Sequence, residues 1–273
     1  MEIGMIGAGK VAKAFDRYLL KDGHKVILSN SRGPESLRPV VAELANGASA
    51  ATPSVAAAAP VVLLAVPWWK NEEALDGLPN WQDRILIDAT NPFVMKDGRF
   101  QIVDLDGRSA SEIVAALAPG SRVVKALNNL YVTNFEAGPS AGGGRRITFV
   151  SGDDADAKTL VGGLLSTIGF AVVDLGDLHT GGLIQQAGGP LAGIGMLSRN
   201  NSMRAIHFTS YGDPLTSLSL VARGTSRWQP STEYVLPPGS YRALRRDRGG
   251  DMGDAASLRS EPHGQYLAGR LSL

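Results

Sequence analysis

The residues with the clearest chemical potential are glycines near the start of the chain. An apolar segment of strand length, residues 2–6, leads into a glycine-rich turn and then a helical pattern. The turn consists of Gly7, Ala8, Gly9, Lys10, Val11 and Ala12. The first glycine permits a tight turn, the second lets the backbone approach a pyrophosphate, and the helix start favours negative charge. The pattern predicts dinucleotide binding at residues 7–11. The alternative is a structural glycine turn in another α/β protein.

The end of the second predicted strand discriminates between NAD and NADP. NAD-binding folds usually place Asp or Glu there, where it binds the ribose 2′-hydroxyl. Residues 28–32 of this chain read Leu-Ser-Asn-Ser-Arg, with no acid. Ser31 can donate a hydrogen bond to a 2′-phosphate and Arg32 can pair with it; the alternative is that Arg32 is only a solvated surface residue. The sequence therefore predicts NADP(H) as the cofactor.

Few other side chains indicate a particular reaction. Trp68 and Trp69 follow another predicted strand and could either stack against a flat ring or cap the core. The candidate proton donors are His179, Tyr131 and Lys125, and none of them lies in a recognisable motif. The four histidines are scattered without an i, i+4 pair, so no metal site is predicted. The lack of a conspicuous catalytic group is no objection to hydride transfer with the predicted NADP(H), because that reaction depends on alignment more than on acid–base groups.

The elements that must position these residues alternate along the first 175 residues. The predicted strands are residues 2–6, 25–28, 61–66, 84–88, 122–127, 146–150 and 170–173. The predicted helices are residues 10–20, 35–44, 109–117 and 154–168, with a capping box at Ser109 and Glu112 and an N-cap at residues 153–154. Continuous apolar strands are typical of a parallel sheet buried on both faces. The rhythm predicts an α/β Rossmann fold with a doubly wound, mostly parallel sheet.

Composition narrows the class of protein. The chain has 273 residues, of which 44% are hydrophobic and 19% charged, so it can bury a sizeable core. Its net charge of +1 argues against nucleic-acid binding. No cysteine is present, which excludes disulfides and fits a cytoplasmic protein. The longest apolar run falls short of a membrane span, and neither a signal peptide nor a membrane partner is predicted.

Several motifs together carry a family resemblance. The segments GMIGAGKVA, SNSRGPESL, LAVPWW, DATNPF and SASEIVAALAPGSRVVKALNNL occur in this order within residues 1–197. In order and spacing, the chain resembles the family of NADPH-dependent F420 reductases and related predicted dinucleotide-binding oxidoreductases. Two features depart from archaeal members: Asn128 stands where they carry a histidine, and residues 181–197 look more like bacterial relatives of unassigned substrate.

The resemblance implies a domain organisation and a set of cofactor contacts. An NADP-binding Rossmann domain would span residues 1–175, and a small C-terminal element closing the cleft would span residues 176–202. Beyond the resemblance, the polar, glycine-rich composition after about residue 200 predicts an irregular tail of uncertain structure over residues 203–273. By this resemblance, Gly9, Lys10 and Val11 cover the pyrophosphate, and Ser31 and Arg32 hold the 2′-phosphate. Val66 and Lys70, with Pro67 between them, would lie beside the ribose and nicotinamide, and Asn91 and Leu127 would flank the cofactor.

The resemblance also implies a reaction. Family members that use coenzyme F420 pass hydride between the nicotinamide C4 and the deazaflavin C5, so F420 is the expected co-substrate. One alternative is NADPH-dependent reduction of a small imine, ketone or quinone, where an imine or ketone would require a proton donor in the cleft. Another is an NADPH-binding sensor without turnover. A homodimer is expected only by analogy of fold.

Overall fold

The computed structural model describes residues 1–44, 47–198, 206–209 and 217–220. The strands in chain order are β1 Glu2–Ile6, β2 Lys25–Ser29, β3 Ala48–Ala50, β4 Val61–Leu64, β5 Ile85–Asp88, β6 Phe93–Lys96, β7 Arg99–Ile102, β8 Arg122–Ala126, β9 Ser140–Ala141, β10 Gly144–Ser151, β11 Ala171–Asp174, β12 Gly195–Ser198, β13 Ile206–Thr209 and β14 Ser217–Leu220. The helices are α1 Lys10–Lys21, α2 Arg38–Leu44, α3 Pro53–Ala56, α4 Asn71–Leu75, α5 Ala110–Leu117, α6 Val132–Glu136, α7 Ala155–Ile168 and α8 Thr180–Gln185. Two 3-10 turns span Pro34–Leu37 and Trp68–Lys70.

A twisted sheet forms the centre of the molecule, and its strand order confirms the predicted doubly wound fold. Six strands run parallel in the order β3-β2-β1-β4-β5-β8. Chain order therefore reverses between β1 and β4, the switch point at which such sheets bind ligands. Beyond β8 the sheet continues with β10, which is antiparallel to β8, and β11 lies parallel beside β10.

Both faces of the sheet are covered, because successive strand residues point to opposite sides. On β4, Val61 and Leu63 join the larger apolar cluster, where Phe15 of α1 also packs. Val62 and Leu64 join a second cluster that includes Trp81. The four residues of β4 are thus buried on two faces, as expected for a central parallel strand.

Local sequence signals explain where several helices begin. The capping box of α5 is confirmed: the Glu112 backbone N–H donates to Ser109 Oγ at 3.1 Å, and the Ser109 backbone N–H donates to Glu112 Oε2 at 2.6 Å. Asp154 caps α7 by accepting a hydrogen bond from the Ala157 backbone N–H at 2.6 Å. Both helices therefore begin where their capping residues place them.

The predicted helix over residues 35–44 is wrong in one respect. The structure has a 3-10 turn, Pro34–Leu37, followed by the separate helix α2 that begins at Arg38. Pro39 explains the break, since its missing N–H and its ring are tolerated in the first turn of a helix but not in its interior.

The domain boundaries stay a prediction. Residues 176–198 contain helix α8 and strand β12, and β12 pairs with β10 at the far side of the sheet. Of the predicted irregular tail, only β13 and β14 are described, and they extend the sheet beyond β12. The remainder of residues 203–273 lies outside the described residues.

Candidate functional site

The carboxyl ends of β1, β4, β5 and β8 lie side by side and form the edge to which the predicted site residues belong. Backbone hydrogen bonds connect these ends: the Ala65 N–H donates to the Ile6 carbonyl at 2.9 Å, and the Ala89 N–H donates to the Leu64 carbonyl at 3.1 Å. β4 ends at Leu64, two residues earlier than predicted, so Val66 lies beyond the sheet at this edge. In an open α/β sheet this is where ligands bind.

Gly7 is required by the fold itself. Its φ of +106° lies in the left-handed region, and a Cβ there would come within 2.4 Å of the Ala65 carbonyl oxygen. Its N–H donates to the Ser29 carbonyl at 3.1 Å. A side chain at this position would both strain the backbone and clash, so Gly7 makes the tight turn that the sequence predicts.

Gly9 has no such structural requirement. It is the N-cap of α1, with φ −78° and no side-chain capping bond. A Cβ there would meet no atom within 4 Å. The missing side chain therefore leaves open space over the start of a 12-residue helix, where unpaired N–H groups and the helix dipole favour an anion. A dinucleotide pyrophosphate fits this space, so the residues present suit the predicted cofactor.

Gly7 and Gly9 thus form a matched pair for a test. We expect Gly9→Ala to change the free energy of unfolding by no more than about 1 kcal/mol, the usual range for a cap position. It should still weaken NADPH binding at least about tenfold, or roughly 1.4 kcal/mol, because the added methyl group would occupy the space in which the backbone approaches the pyrophosphate. Gly7→Ala should lower the free energy of unfolding by about 1–3 kcal/mol, so that the protein unfolds at a lower urea concentration. Urea titration and NADPH fluorescence titration measure the two effects; equal NADPH affinity in Gly9→Ala and wild type would contradict the assignment.

The turn after β2 presents the two residues predicted at the 2′-phosphate. Ser31 and Arg32 are both exposed. The Arg32 backbone N–H donates to Asn30 Oδ1 at 2.9 Å, and Asn30 Nδ2 donates to Ser36 Oγ at 2.9 Å. Among the described residues, Arg32 makes no ion pair, whereas nearby Arg38 pairs with Glu35 at 2.7 Å. The Asn30 turn was not predicted, although an asparagine two residues before a backbone donor is a known signal for it.

The segment after β4, residues 66–70, contains both packed and exposed side chains. Val66 is half-buried, and its Cγ1 lies 3.1 Å from the Cβ position of Gly7, so these two predicted residues are adjacent. Lys70 lies further out and pairs with Glu73 at 2.6 Å. Pro67 is exposed and precedes the two tryptophans. Trp68 packs against the second apolar cluster, whereas Trp69 is 49% exposed; the two tryptophans therefore divide between the core and the surface.

The ends of β5 and β8 contribute Asn91 and Leu127. Leu127 has φ +63°, which is unusual for a residue with a side chain, and its side chain is buried in the larger apolar cluster. Such strain of about 1–3 kcal/mol is often found at functional sites. The turn at Leu127 brings Asn128 next to Asn91, and the two side chains contact one another. Leu127 therefore borders the edge with its backbone rather than with its side chain.

A buried polar network beneath the edge was missed from the sequence. The Asp88 carboxylate accepts hydrogen bonds from Thr90 Oγ1 at 2.7 Å, from Ser111 Oγ at 2.6 Å and from Lys125 Nζ at 3.1 Å. Lys125 Nζ also donates to the Thr90 carbonyl at 3.1 Å. The one available signal was a charge within each of two apolar strand segments, LIDAT and VVKAL. Lys125 is fully buried in this pair, so it is not exposed as a proton donor.

His179 lies against helix α5 and not among the strand-end residues described above. Its Nδ1 is 3.1 Å from Glu112 Oε2, and its side chain is 59% exposed. Burial raises the pKa of the Glu112 carboxyl, but the hydrogen bond from the Ser109 backbone and the neighbouring His179 outweigh that effect and lower the pKa overall. His179 is therefore engaged by the cap of α5. Within the described ranges, no three acidic or histidine side chains could hold a metal ion.

Taken together, the glycine turn, the strand-end switch point and the open helix start define a dinucleotide-binding Rossmann protein. The model of the family "NADP oxidoreductase coenzyme F420-dependent" matches residues 2–92. The hypothetical protein SMa0349 from Sinorhizobium meliloti is 38% identical, with a TM-score of 0.67, covering 72% of this chain and 96% of that one. A protein from Arthrobacter sp. FB24, proposed to be an F420-dependent NADP reductase, is 28% identical with a TM-score of 0.54, covering 65% of this chain and 86% of that one.

This chain belongs to that family of NADP-dependent oxidoreductases and related dinucleotide-binding proteins. A curated relative, the metalloreductase STEAP3 of Rattus norvegicus, is 28% identical over 178 residues. The match covers 65% of this chain, and the chain spans about a third (34%) of that relative's length. In the part of the chain that the structure describes, no helix has the length and apolar character needed to cross a membrane.

Proposed function

We propose that the protein is an NADPH-dependent reductase that passes hydride to a deazaflavin, coenzyme F420. The observation that carries the proposal is a pair of local features that would each suit a phosphate group. One is the open helix start at Gly9, and the other is the exposed Ser31–Arg32 turn without an acid. The Arthrobacter relative, proposed to be an F420-dependent NADP reductase, supports the choice of acceptor.

Each group in this arrangement has a binding or orienting task. NADPH, when bound, supplies a hydride from its nicotinamide C4, which the deazaflavin C5 accepts while a proton comes from solvent. The N–H groups at the start of α1 bind the pyrophosphate, and Ser31 with Arg32 binds the 2′-phosphate. Val66 lies against Gly7 at this edge, and Val66 and Pro67 would border the bound cofactor there. No proton donor is required from the chain, because alignment supplies most of what this reaction needs.

The surroundings of two of the three candidate proton donors favour the deazaflavin over an imine or ketone. Reduction of an imine or ketone requires a donor within hydrogen-bond reach of the accepting atom. Lys125 is fully buried against Asp88, and His179 is engaged with Glu112. Tyr131 is 48% exposed and follows the strand-end turn, so it is the donor that this alternative would use.

The activity test uses purified protein, NADPH and oxidised coenzyme F420, with NADH as the control nucleotide. We expect the deazaflavin absorbance to bleach with NADPH and much more slowly with NADH. Equal rates with the two nucleotides would contradict the role of Ser31 and Arg32. NADPH binding without bleaching would move the proposal to another acceptor, and Tyr131→Phe would then separate an imine or ketone reductase from a sensor.

Arg32 should control nucleotide choice. We expect Arg32→Ala to weaken NADPH binding about 10- to 100-fold, the loss of one charge-assisted contact to phosphate worth roughly 1.5–3 kcal/mol. NADH affinity should stay within about twofold, since NADH has no 2′-phosphate. Fluorescence titration with both nucleotides measures the change. Arg108→Ala, an exposed arginine in a different loop, is the matched control and should leave both affinities unchanged.

A further inference from the structure

Two asparagines at neighbouring strand ends hold each other and a third segment. Asn91 Nδ2 donates to the Asn128 carbonyl at 2.9 Å, and Asn128 Nδ2 donates back to Asn91 Oδ1 at 3.1 Å. The Ala187 backbone N–H donates to the same Asn91 Oδ1 at 2.9 Å, and Asn128 Nδ2 also donates to the Gln185 carbonyl at 2.9 Å. We call this arrangement the amide clasp; it joins the ends of β5 and β8 to residues 185–187.

The clasped segment is anchored on its other side as well. Gln185 Nε2 donates to the Lys125 carbonyl at 3.2 Å and to Ser151 Oγ at 3.0 Å. Gln186 Oε1 accepts from the Ala110 N–H at the start of α5 at 2.6 Å. Gln185 is fully buried, and Asn128 is 6% exposed, so water competes little for these bonds. The segment is therefore fixed by side chains rather than by a strand ladder.

Close packing in and just after α8 leaves residues 185–187 little freedom to take another position. A Cβ on Gly181 would lie 2.4 Å from Ser151 Oγ, and one on Gly189 would lie 2.2 Å from the Leu183 carbonyl oxygen. These glycines serve close approach within the chain rather than room for a ligand. The amide N–H groups of Asn128 and Gln185 have defined partners, whereas Asn128 Oδ1 and Gln185 Oε1 are buried without one among the described residues. The donated hydrogen bonds therefore select a single placement of the segment.

We propose that Asn91 and Asn128 are positioning residues. They hold residues 185–187 over the ends of β5 and β8 as a fixed wall of the hydride-transfer cleft. The inference rests on the proposed function for the identity of the cleft, whereas the contacts themselves do not. It gives Asn91 a role different from direct cofactor contact: its Oδ1 accepts two hydrogen bonds and its Nδ2 donates one within the chain. The strained turn at Leu127 then has a purpose, since it directs Asn128 into the clasp.

The test compares Asn91→Leu and Asn128→Leu with Asn129→Leu. Asn129 is a matched control, because it is buried at the same strand end but contacts Ile147 and Thr148 instead. Hydrogen exchange of the peptide containing Ala187 is measured first, without nucleotide. We expect exchange at least about tenfold faster in both clasp variants than in Asn129→Leu, relative to a peptide of the core strands. Equal exchange in all three variants would overturn the proposal.

Bound NADPH provides the second measurement. Asn128→Leu, at a residue with no predicted cofactor contact, should bind NADPH within about threefold of wild type, since the phosphate contacts are untouched. The fluorescence lifetime of the bound nicotinamide should shorten towards that of free NADPH, and the Asn129→Leu lifetime should match wild type. An unchanged fluorescence lifetime in the clasp variants would contradict the proposal that residues 185–187 form a wall of the cleft. Failure of wild type to bind NADPH would overturn the proposed function instead, and the exchange measurement would still decide whether the clasp exists.

Discussion

Lys125→Met should lower the free energy of unfolding by about 3–5 kcal/mol, the range found when one partner of a buried ion pair is removed. Lys125 Nζ lies 3.1 Å from Asp88 Oδ2, and both side chains are completely buried. The substitution leaves the Asp88 carboxylate in a low-dielectric interior with only neutral donors, Thr90 and Ser111. Urea unfolding at constant pH measures the change, provided that the m value stays close to wild type.

Two further variants test whether burial of the ion pair causes the expected loss of stability in Lys125→Met. Lys70→Met breaks an ion pair that is shorter, 2.6 Å, but whose side chains are 50% and 63% exposed. We expect it to cost less than about 1 kcal/mol, because water screens the pair. The double variant Asp88→Leu/Lys125→Met should be more stable than Lys125→Met, since no unpaired charge remains. A Lys125→Met variant as stable as Lys70→Met would refute this account.

The first half of the fold could be predicted because its local signals agree with its tertiary structure. Apolar strands of the right length, the glycine turn at Gly7 and the cap at Ser109 each specify an element without help from distant residues. Where a local signal was overlooked, as at Pro39, the helix boundary was wrong. Small elements such as β6 and β7, which pair only with each other, were not predicted.

The candidate site likewise contains features that the sequence predicts and features that it does not. The roles predicted for Gly7 and Gly9 depend on backbone geometry that a spacing pattern reveals, and the structure places them at a turn and at a helix start. The amide clasp and the Asp88–Lys125 pair could not be predicted, because their partners are 37 residues apart and meet only through the strand order. Cofactor contacts at Val66, Lys70 and Leu127 remain predictions, and the one predicted at Asn91 stands against the place of its side chain in the amide clasp.

Asp16 should make the protein less stable as the pH rises. It is fully buried on α1, and neither carboxylate oxygen has a hydrogen-bond partner among the described residues. Burial raises its pKa to about 7, although neighbouring Arg17 lowers it in part. The unfolded carboxyl, with a pKa of 3.8, releases its proton earlier than the folded one. The contribution of Asp16 to the free energy of unfolding is therefore fully present below about pH 4. It falls by roughly 1.4 kcal/mol per pH unit until about pH 7.

Asp16→Asn removes this titration while keeping the size of the side chain. We expect the variant to be about 2–4 kcal/mol more stable than wild type at pH 8 and close to it at pH 4, because the protonated carboxyl and the amide are both neutral. Asp76→Asn, an exposed aspartate, should leave the slope of stability against pH unchanged. Urea titrations from pH 4 to pH 8 measure the slopes. Parallel curves for wild type and Asp16→Asn would show that the folded carboxyl is ionised over this whole range. Helix α1 would then have to supply a donor that stabilises the charge, and the burial of Asp16 would no longer explain its protonation.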